Sequence, residues 1–363
     1  MTWDPDTPYD DLPELPPVAE FETKEVLRAT ANARAALAAL DQASRRIPNP
    51  EVLINSISLL EAQASSEIEN IVTTTDDLFR YAHDGGGSAS SDTKETLRYR
   101  TALFAGIESI RTRPVSTNTA IEVCSEIRAV HASLRSMPGT YIGNPTTDSR
   151  IYTPPENLTR IRALLRNWES FVHESAGIDP LIVMAIAHYQ FEAIHPFADG
   201  NGRTGRILNV LLLVAEGLLV HPVLYLSRYI IERKVDYYRK LQAVTAEQAW
   251  EDWILFMLDG VRASADSTMR TIDAIESCRE SVRAVIRDDS RLGTDADLID
   301  LLFENPYCRI NDVRERCGVS RPTATKRLRA LVHAGVLTEH RTGRTAAFRN
   351  EAFHTLLQDT SVR

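Results

Sequence analysis

The chain has 363 residues, 43% of them hydrophobic, with 41 Lys and Arg against 50 Asp and Glu for a formal net charge of −9. Two or three domains with cores of their own fit that length, and the acidic balance excludes a molecule that coats nucleic acid over its whole surface. The longest apolar run, Leu208 to Val220, is broken by Glu216 and Gly217 and is too short to span a bilayer, so no membrane association is expected. The first twenty residues hold five prolines and many acids and predict an extended arm. Phe21 to Gln42 reads as an alanine-rich helix, ended by the break Ile47-Pro48-Asn49-Pro50. A second helix is predicted from Val52 to Asn70, where Leu53, Ile57, Leu60, Ala64 and Ile68 recur at helical spacing. The glycines within Asp84 to Ser91 mark a loop or domain boundary. Helical patterns resume over Thr93 to Thr112, Thr117 to Leu134 and Asn157 to Glu174, and a small hairpin is predicted between Met137 and Pro155. From Pro180 to about Arg287 the pattern is helical nearly throughout, so the predicted class is mainly α.

The last seventy residues read as a separate module. Asp297 to Glu304 is an amphipathic helix, Arg309-Ile310-Asn311-Asp312 opens a second, Cys317-Gly318-Val319-Ser320 turns, and Arg321 to His333 is a third. Val336-Leu337-Thr338 and Thr345-Ala346-Ala347-Phe348 are short strands around an Arg341-Thr342-Gly343-Arg344 tip. Such an order resembles a winged helix-turn-helix domain. Residues 309–349 carry ten Lys and Arg against three Asp and Glu, with Arg321, Thr323, Thr325, Lys326 and Arg329 on the expected recognition helix. Double-stranded DNA is one partner this charge fits. Protein contacts or dimerisation are the alternative use of such a module, and a homodimer is left open.

The most specific stretch is His195-Pro196-Phe197-Ala198-Asp199-Gly200-Asn201-Gly202-Arg203-Thr204-Gly205-Arg206, lying between two apolar helical runs. It reads as a tight loop that opens the second helix. Gly200 and Gly202 allow a sharp turn and close ligand approach, and the helix start they precede favours anions. Arg203 and Arg206 stand three apart on the first turns and can fork around phosphate oxygens. Asp199 offers a hard oxygen for Mg²⁺, and His195 a base that titrates near neutrality. Each half alone is what an ordinary solvated loop looks like; the whole string is what points to nucleotide transfer.

The string resembles the signature of the Fic family, His-x-Phe-x-Asp/Glu-Gly-Asn-Gly-Arg-x-x-Arg, without a departure. Ser65-Ser66-Glu67-Ile68-Glu69-Asn70 is similar to that family's inhibitory pattern, Ser/Thr-x-x-x-Glu-Gly/Asn, placed ahead of the core. The resemblance covers roughly residues 12–260. It implies an all-α Fic core with a small β-hairpin flap, divided as an N-terminal region with the inhibitory helix (1–90), core (91–265), connecting helix (266–290) and winged helix (291–363). It implies AMP transfer from ATP, with Mg²⁺, to a Ser, Thr or Tyr hydroxyl of target proteins or of the chain itself. His195 would be the base, Asp199 the metal ligand, and Gly200, Asn201, Gly202, Arg203 and Arg206 the phosphate cradle. Glu69, supported by Ser65, would inhibit by occupying Arg206, and the same glutamate could serve removal of AMP. Tyr237 or Tyr238 would face adenine, and Ile151, Tyr152 and Thr153 would dock the target through backbone bonds. The family's phosphorylating branch departs from Gly-Asn-Gly, which is intact here. The rival from another class is a DNA-binding transcriptional regulator whose Fic core senses a nucleotide. Scattered Cys124, Cys278, Cys308 and Cys317, and an acidic start without an apolar leader, lead us to expect a cytoplasmic protein with reduced thiols.

Overall fold

The computed structural model describes residues 3–47, 49–84, 89–144, 149–288, 296–342 and 345–362. Residues 85–88 of the glycine-rich stretch, 145–148 of the expected hairpin and the expected tip at Gly343 and Arg344 lie outside them, as does the expected 290/291 boundary. Residues 3–22 form no helix, as their prolines require, and lead into α1 (Lys24–Arg46), capped by the Thr23 side chain on the Val26 amide at 3.2 Å. Next comes α2 (Pro50–Ile68), with Asn49 at the N-cap and proline in its first turn. The sequence reading passed over α3 (Thr75–Asp84), a ten-residue helix opened by Thr74 and Asp77, whose side chains exchange capping bonds. α4 (Ser91–Ile110) and α5 (Thr117–Arg128) follow. α5 stops six residues short of the expected Leu134, because Ala129 turns left-handed at φ 53° and Ser125 takes the Ala132 amide at 2.9 Å.

The hairpin is β1 (Ile142–Asn144) paired antiparallel with β2 (Ser149–Tyr152). α6 (Leu158–Glu174) leads to α7 (Pro180–Ile194), which is apolar all round and nearly wholly buried, as a central helix must be. α8 (Asn201–Ala215) packs against it, then α9 (Leu226–Glu232), α10 (Lys234–Glu247) and α11 (Trp250–Asp288). Trp168 and Trp253 press on α7 and donate indole N–H bonds to Ala187 and Ala185 carbonyls at 3.0 and 2.7 Å. α11 runs unbroken through 39 residues, so the expected division at 265/266 falls inside one helix, and α1 packs along it.

Beyond α11 come α12 (Ala296–Glu304), β3 (Tyr307–Arg309), α13 (Ile310–Arg316), α14 (Arg321–His333), β4 (Leu337–Thr342), β5 (Thr345–Asn350) and α15 (Glu351–Val362). The antiparallel sheet runs β3–β5–β4, with Cys308 opposite Phe348 and Glu339 opposite the same residue. This is the winged helix-turn-helix arrangement, with β3 and α15 added to the expected elements. Among the described residues no helix is long and apolar enough to cross a membrane.

Candidate active site

α7 ends where the sequence demands it. His195 adopts the left-handed conformation (φ 48°, ψ 60°), and Pro196 has no N–H to continue the helix. A non-glycine residue held there costs on the order of 1 kcal/mol, so something must fix it. Arg135 does, donating from Nε to the His195 carbonyl (2.7 Å) and from Nη2 to the carbonyls of Ile194 (3.1 Å) and Pro155. Its own amide bonds the Pro196 carbonyl at 2.9 Å. Inside the loop, the Asn201 amide closes a ring on Phe197: the Phe197 N–H donates to Oδ1 and Nδ2 donates to the Phe197 carbonyl, both at 2.8 Å. Phe197 is buried, which anchors the ring to the core. Asn201, expected at the α-phosphate, thus has both ends of its side chain committed to the loop. Gly200 then turns at φ 86°, a conformation glycine adopts without cost, and no side chain caps α8. The start of α8 is left as an anion site of the helix-terminus kind.

Both arginines of that helix are buried. Arg203 donates from Nη1 to Glu95 of α4 at 2.6 Å. Arg206, 2% exposed, donates from Nε to the Ser65 hydroxyl (2.8 Å) and from Nη2 to the Ser65 carbonyl (2.9 Å) and Glu69 Oε1 (2.7 Å). Ser65 therefore grips the arginine itself; its expected role was to support Glu69. Burial works against the Glu69 carboxylate, but Arg206, then Arg203 and His195, outweigh it and hold its pKa below the usual value. α2 ends at Glu69, and the Asn70 that follows is left-handed at φ 62°, which is why the pattern takes Gly or Asn there. Any Cβ on Gly202 would run into the Glu69 carboxylate. Only glycine lets the two meet.

Burial, then the nearby Arg135 cation, press the His195 pKa down to about 4 against the opposing Glu192 carbonyl, Glu69 and Asp199. The imidazole is neutral at pH 7, the form a general base needs. Asp199 is 61% exposed, with Oδ1 accepting the Gly200 amide at 2.7 Å and Oδ2 3.3 Å from Arg128 Nε. Among the described residues no group of three or more candidate metal ligands occurs, and Asp199 offers one exposed carboxylate. Glu192, one turn before His195, adds a carboxyl that burial raises to about 7, against the pull of Arg206 and with the push of Glu69.

The two tyrosines separate. Tyr237 is 1% exposed, bonded through its hydroxyl to His188 Nε2 at 2.9 Å and packed against Trp253; it is core, which corrects half of the adenine assignment. Tyr238 is 39% exposed, and burial, then the charges of Glu69, Arg206 and Glu192, leave its pKa above the ordinary value. The three hairpin residues differ in their surroundings. Tyr152 is buried, bonds the Ala193 carbonyl at 2.8 Å and packs on Trp3 and Tyr9. Thr153 donates to the Pro5 carbonyl (2.6 Å), and its own carbonyl accepts the Tyr9 amide (3.0 Å). These two root the hairpin and seat the N-terminal arm; of the three, Ile151 alone is partly exposed.

The comparisons agree with this architecture. Three family models match the chain in order: Fic/DOC family N-terminal over residues 27–108, Fic/DOC family over 122–213, and protein adenylyltransferase SoFic-like, C-terminal domain, over 280–353. The chain is 28% identical over 176 residues to protein adenylyltransferase Fic of Aedes aegypti, covering 47% of this chain and 32% of that protein. It is 42% identical over 64 residues to protein adenylyltransferase fic-1 of Caenorhabditis elegans, 18% of this chain and 11% of that one. The chain thus spans a third or less of the length of these curated relatives. A crystal structure of a Fic family protein from Desulfovibrio desulfuricans G20 superposes with a TM-score of 0.59 at 22% identity, covering 93% of this chain and 98% of the other. Fic-1 from C. elegans gives 0.51 at 18% identity over 69% and 72% of the two chains. With the loop, the helices around it and three successive family segments in agreement, this chain belongs to the Fic family.

Proposed function

We propose that this chain is a protein adenylyltransferase that moves AMP from ATP to a Ser, Thr or Tyr hydroxyl of target proteins, restrained by its own Glu69. The observation that carries the reading is the buried Arg206 shared by Ser65 and Glu69 on α8, the helix that follows the His195 loop. His195 accepts the hydroxyl proton, and the oxygen attacks the α-phosphorus as the bond to the bridging oxygen breaks and pyrophosphate leaves. Amides at the start of α8 and Arg203 stabilise the charge on the α- and β-phosphates, and Arg206 orients the γ-phosphate. Bound at Asp199, Mg²⁺ would supply neutralisation of the polyphosphate charge. While Glu69 occupies Arg206, the γ-phosphate has no clamp and ATP seats unproductively. Tyr238 lines the adenine side, and the hairpin backbone near Ile151 receives the target. Cys124, Cys278, Cys308 and Cys317 are not joined in disulfides, which supports a reducing, cytoplasmic setting.

The test uses ATP labelled at either the α- or the γ-phosphate with the native chain, Glu69→Gly and Glu69→Gly/His195→Ala. Label retained only from α-labelled ATP, strongest in Glu69→Gly and absent from the double variant, is the expected result. Retention only from γ-labelled ATP would make the chain a kinase.

A second reading concerns α14. Arg321, Lys326, Arg329 and His333 are exposed on it and line a groove of about 630 Å³ with Thr325 and Pro322, an acid-free face suited to a DNA backbone. It supports the alternative of a DNA-binding regulator whose core senses nucleotide. A duplex shift that weakens steeply with salt is expected; no shift at low salt removes this reading.

A further inference from the structure

The C-terminal domain packs on α2, α3 and α11, and has no comparable packing on α7 or α8 among the described residues. Among the described residues it therefore packs on the helix that Glu69 caps rather than on the helices beside His195 and Arg206. Three grips make the contact. At the start of α2, the N-cap residue Asn49 donates to Glu304 of α12 at 2.8 Å. Along α3, Asn305 donates to the Phe79 carbonyl at 3.1 Å and His83 lies 2.9 Å from Asp312. Between them Asp76 gathers the Tyr307 hydroxyl, Arg349 Nη1 at 3.2 Å and His354 Nε2 at 2.9 Å, from β3, β5 and α15.

Asp76 is linked back to the helix that carries Ser65 by side-chain bonds across the 69–74 connection. Gln63 of α2 donates to the Thr73 carbonyl at 2.9 Å and accepts from the Thr75 hydroxyl at 3.1 Å, two residues before Ser65. Thr73 also meets Thr93 of α4 at 2.7 Å. A shift at Asp76 thus reaches α2 at Gln63, two residues before Ser65, through the bonds of Thr73 and Thr75, alongside the irregular connection of residues 69–74.

We propose that the C-terminal domain is a brace on the inhibitory helix, so that its hold on Asp76 sets how tightly Glu69 occupies Arg206. Whatever engages the winged helix can then change AMP transfer without touching the catalytic loop. This rests on the inhibitory reading of Glu69, and the test separates the two. In the full chain, Asp76→Ala and the milder Tyr307→Phe are each combined with native Glu69 and with Glu69→Gly, and AMP transfer from α-labelled ATP is measured beside thermal unfolding. With Glu69 present, Asp76→Ala should raise transfer about fivefold, and Tyr307→Phe should raise it less. With Glu69→Gly, both should stay within about twofold of their parent, since the brace has nothing left to hold. No rise in the native background, or an equal rise in both, overturns the brace. If Glu69→Gly is itself not activated, the inhibitory reading fails first and the brace falls with it.

Discussion

Two segments meet at Arg206, and they are held in opposite ways. The His195 loop is locked from within: Asn201 closes on Phe197, Phe197 is buried, and Arg135 ties together the carbonyls of the left-handed His195, Ile194 and Pro155. The Glu69 turn reaches the same arginine from the far end of α2, and α2 is held partly by a domain that has no catalytic residue. The loop's geometry is part of the core and comes with folding. On the proposed reading Glu69 is a removable neighbour whose position depends on contacts elsewhere. A catalytic constellation needs one geometry; a restraint needs two states.

The comparison breaks most sharply at His195. In the Glu69→Gly background, His195→Ala should lower transfer by about a hundredfold or more, the usual scale for a lost general base. A variant that keeps near-parental transfer would remove the loop from the chemistry altogether. Next in size, Glu69→Gly alone should raise transfer about tenfold while lowering the midpoint of thermal unfolding, because Arg206 loses its counter-ion in a buried site. A gain without any loss of stability would mean that Glu69 was not holding the arginine in solution.

Asn201 sharpens the distinction between a braced loop and a phosphate ligand. Its two hydrogen bonds to Phe197 should contribute about 2 kcal/mol together, so Asn201→Ala should lower the unfolding midpoint by several degrees in the absence of nucleotide. An unchanged midpoint, with only the KM for ATP raised, would return Asn201 to the phosphate and leave the loop to be held by Arg135.

What could be read from the sequence follows the same division. The twelve-residue loop and the Ser65–Glu69 pair were legible because their parts lie within a few residues of one another, at spacings set by a turn or by one helical repeat. Arg135 and Glu95 were not, since they reach the site from 60 and 108 residues away and look like any charged residue of a loop and of a helix. Tyr237 and Tyr238 could not be told apart because neighbours on a helix differ by about 100° in direction, and only the position of Trp253 decides which of them is core. The long helices announced themselves by apolar period; α3 was too short for that, although Thr74 and Asp77 carried its capping signal. The hairpin was placed correctly, but nothing local revealed that the N-terminal arm would occupy Thr153.

The smallest expected effect concerns the proton. Burial and the Arg135 cation hold His195 at about 4, while Glu69 opposes them by favouring the imidazolium. Removing Glu69 should therefore lower the His195 midpoint further, and replacing Arg135 with Gln should raise it, since a nearby cation has gone. The shifts can be read as ring-proton titrations of the ligand-free chain, with the His195 signal identified by its loss in His195→Ala. In native protein the midpoint should lie below pH 5, so the base is ready at every pH above that and the inhibited and released states differ in phosphate binding alone. A midpoint near the ordinary 6.5 would imply a solvated imidazole, and hence a loop that opens away from the core. The internal lock set against the removable inhibitor would then no longer distinguish the two segments.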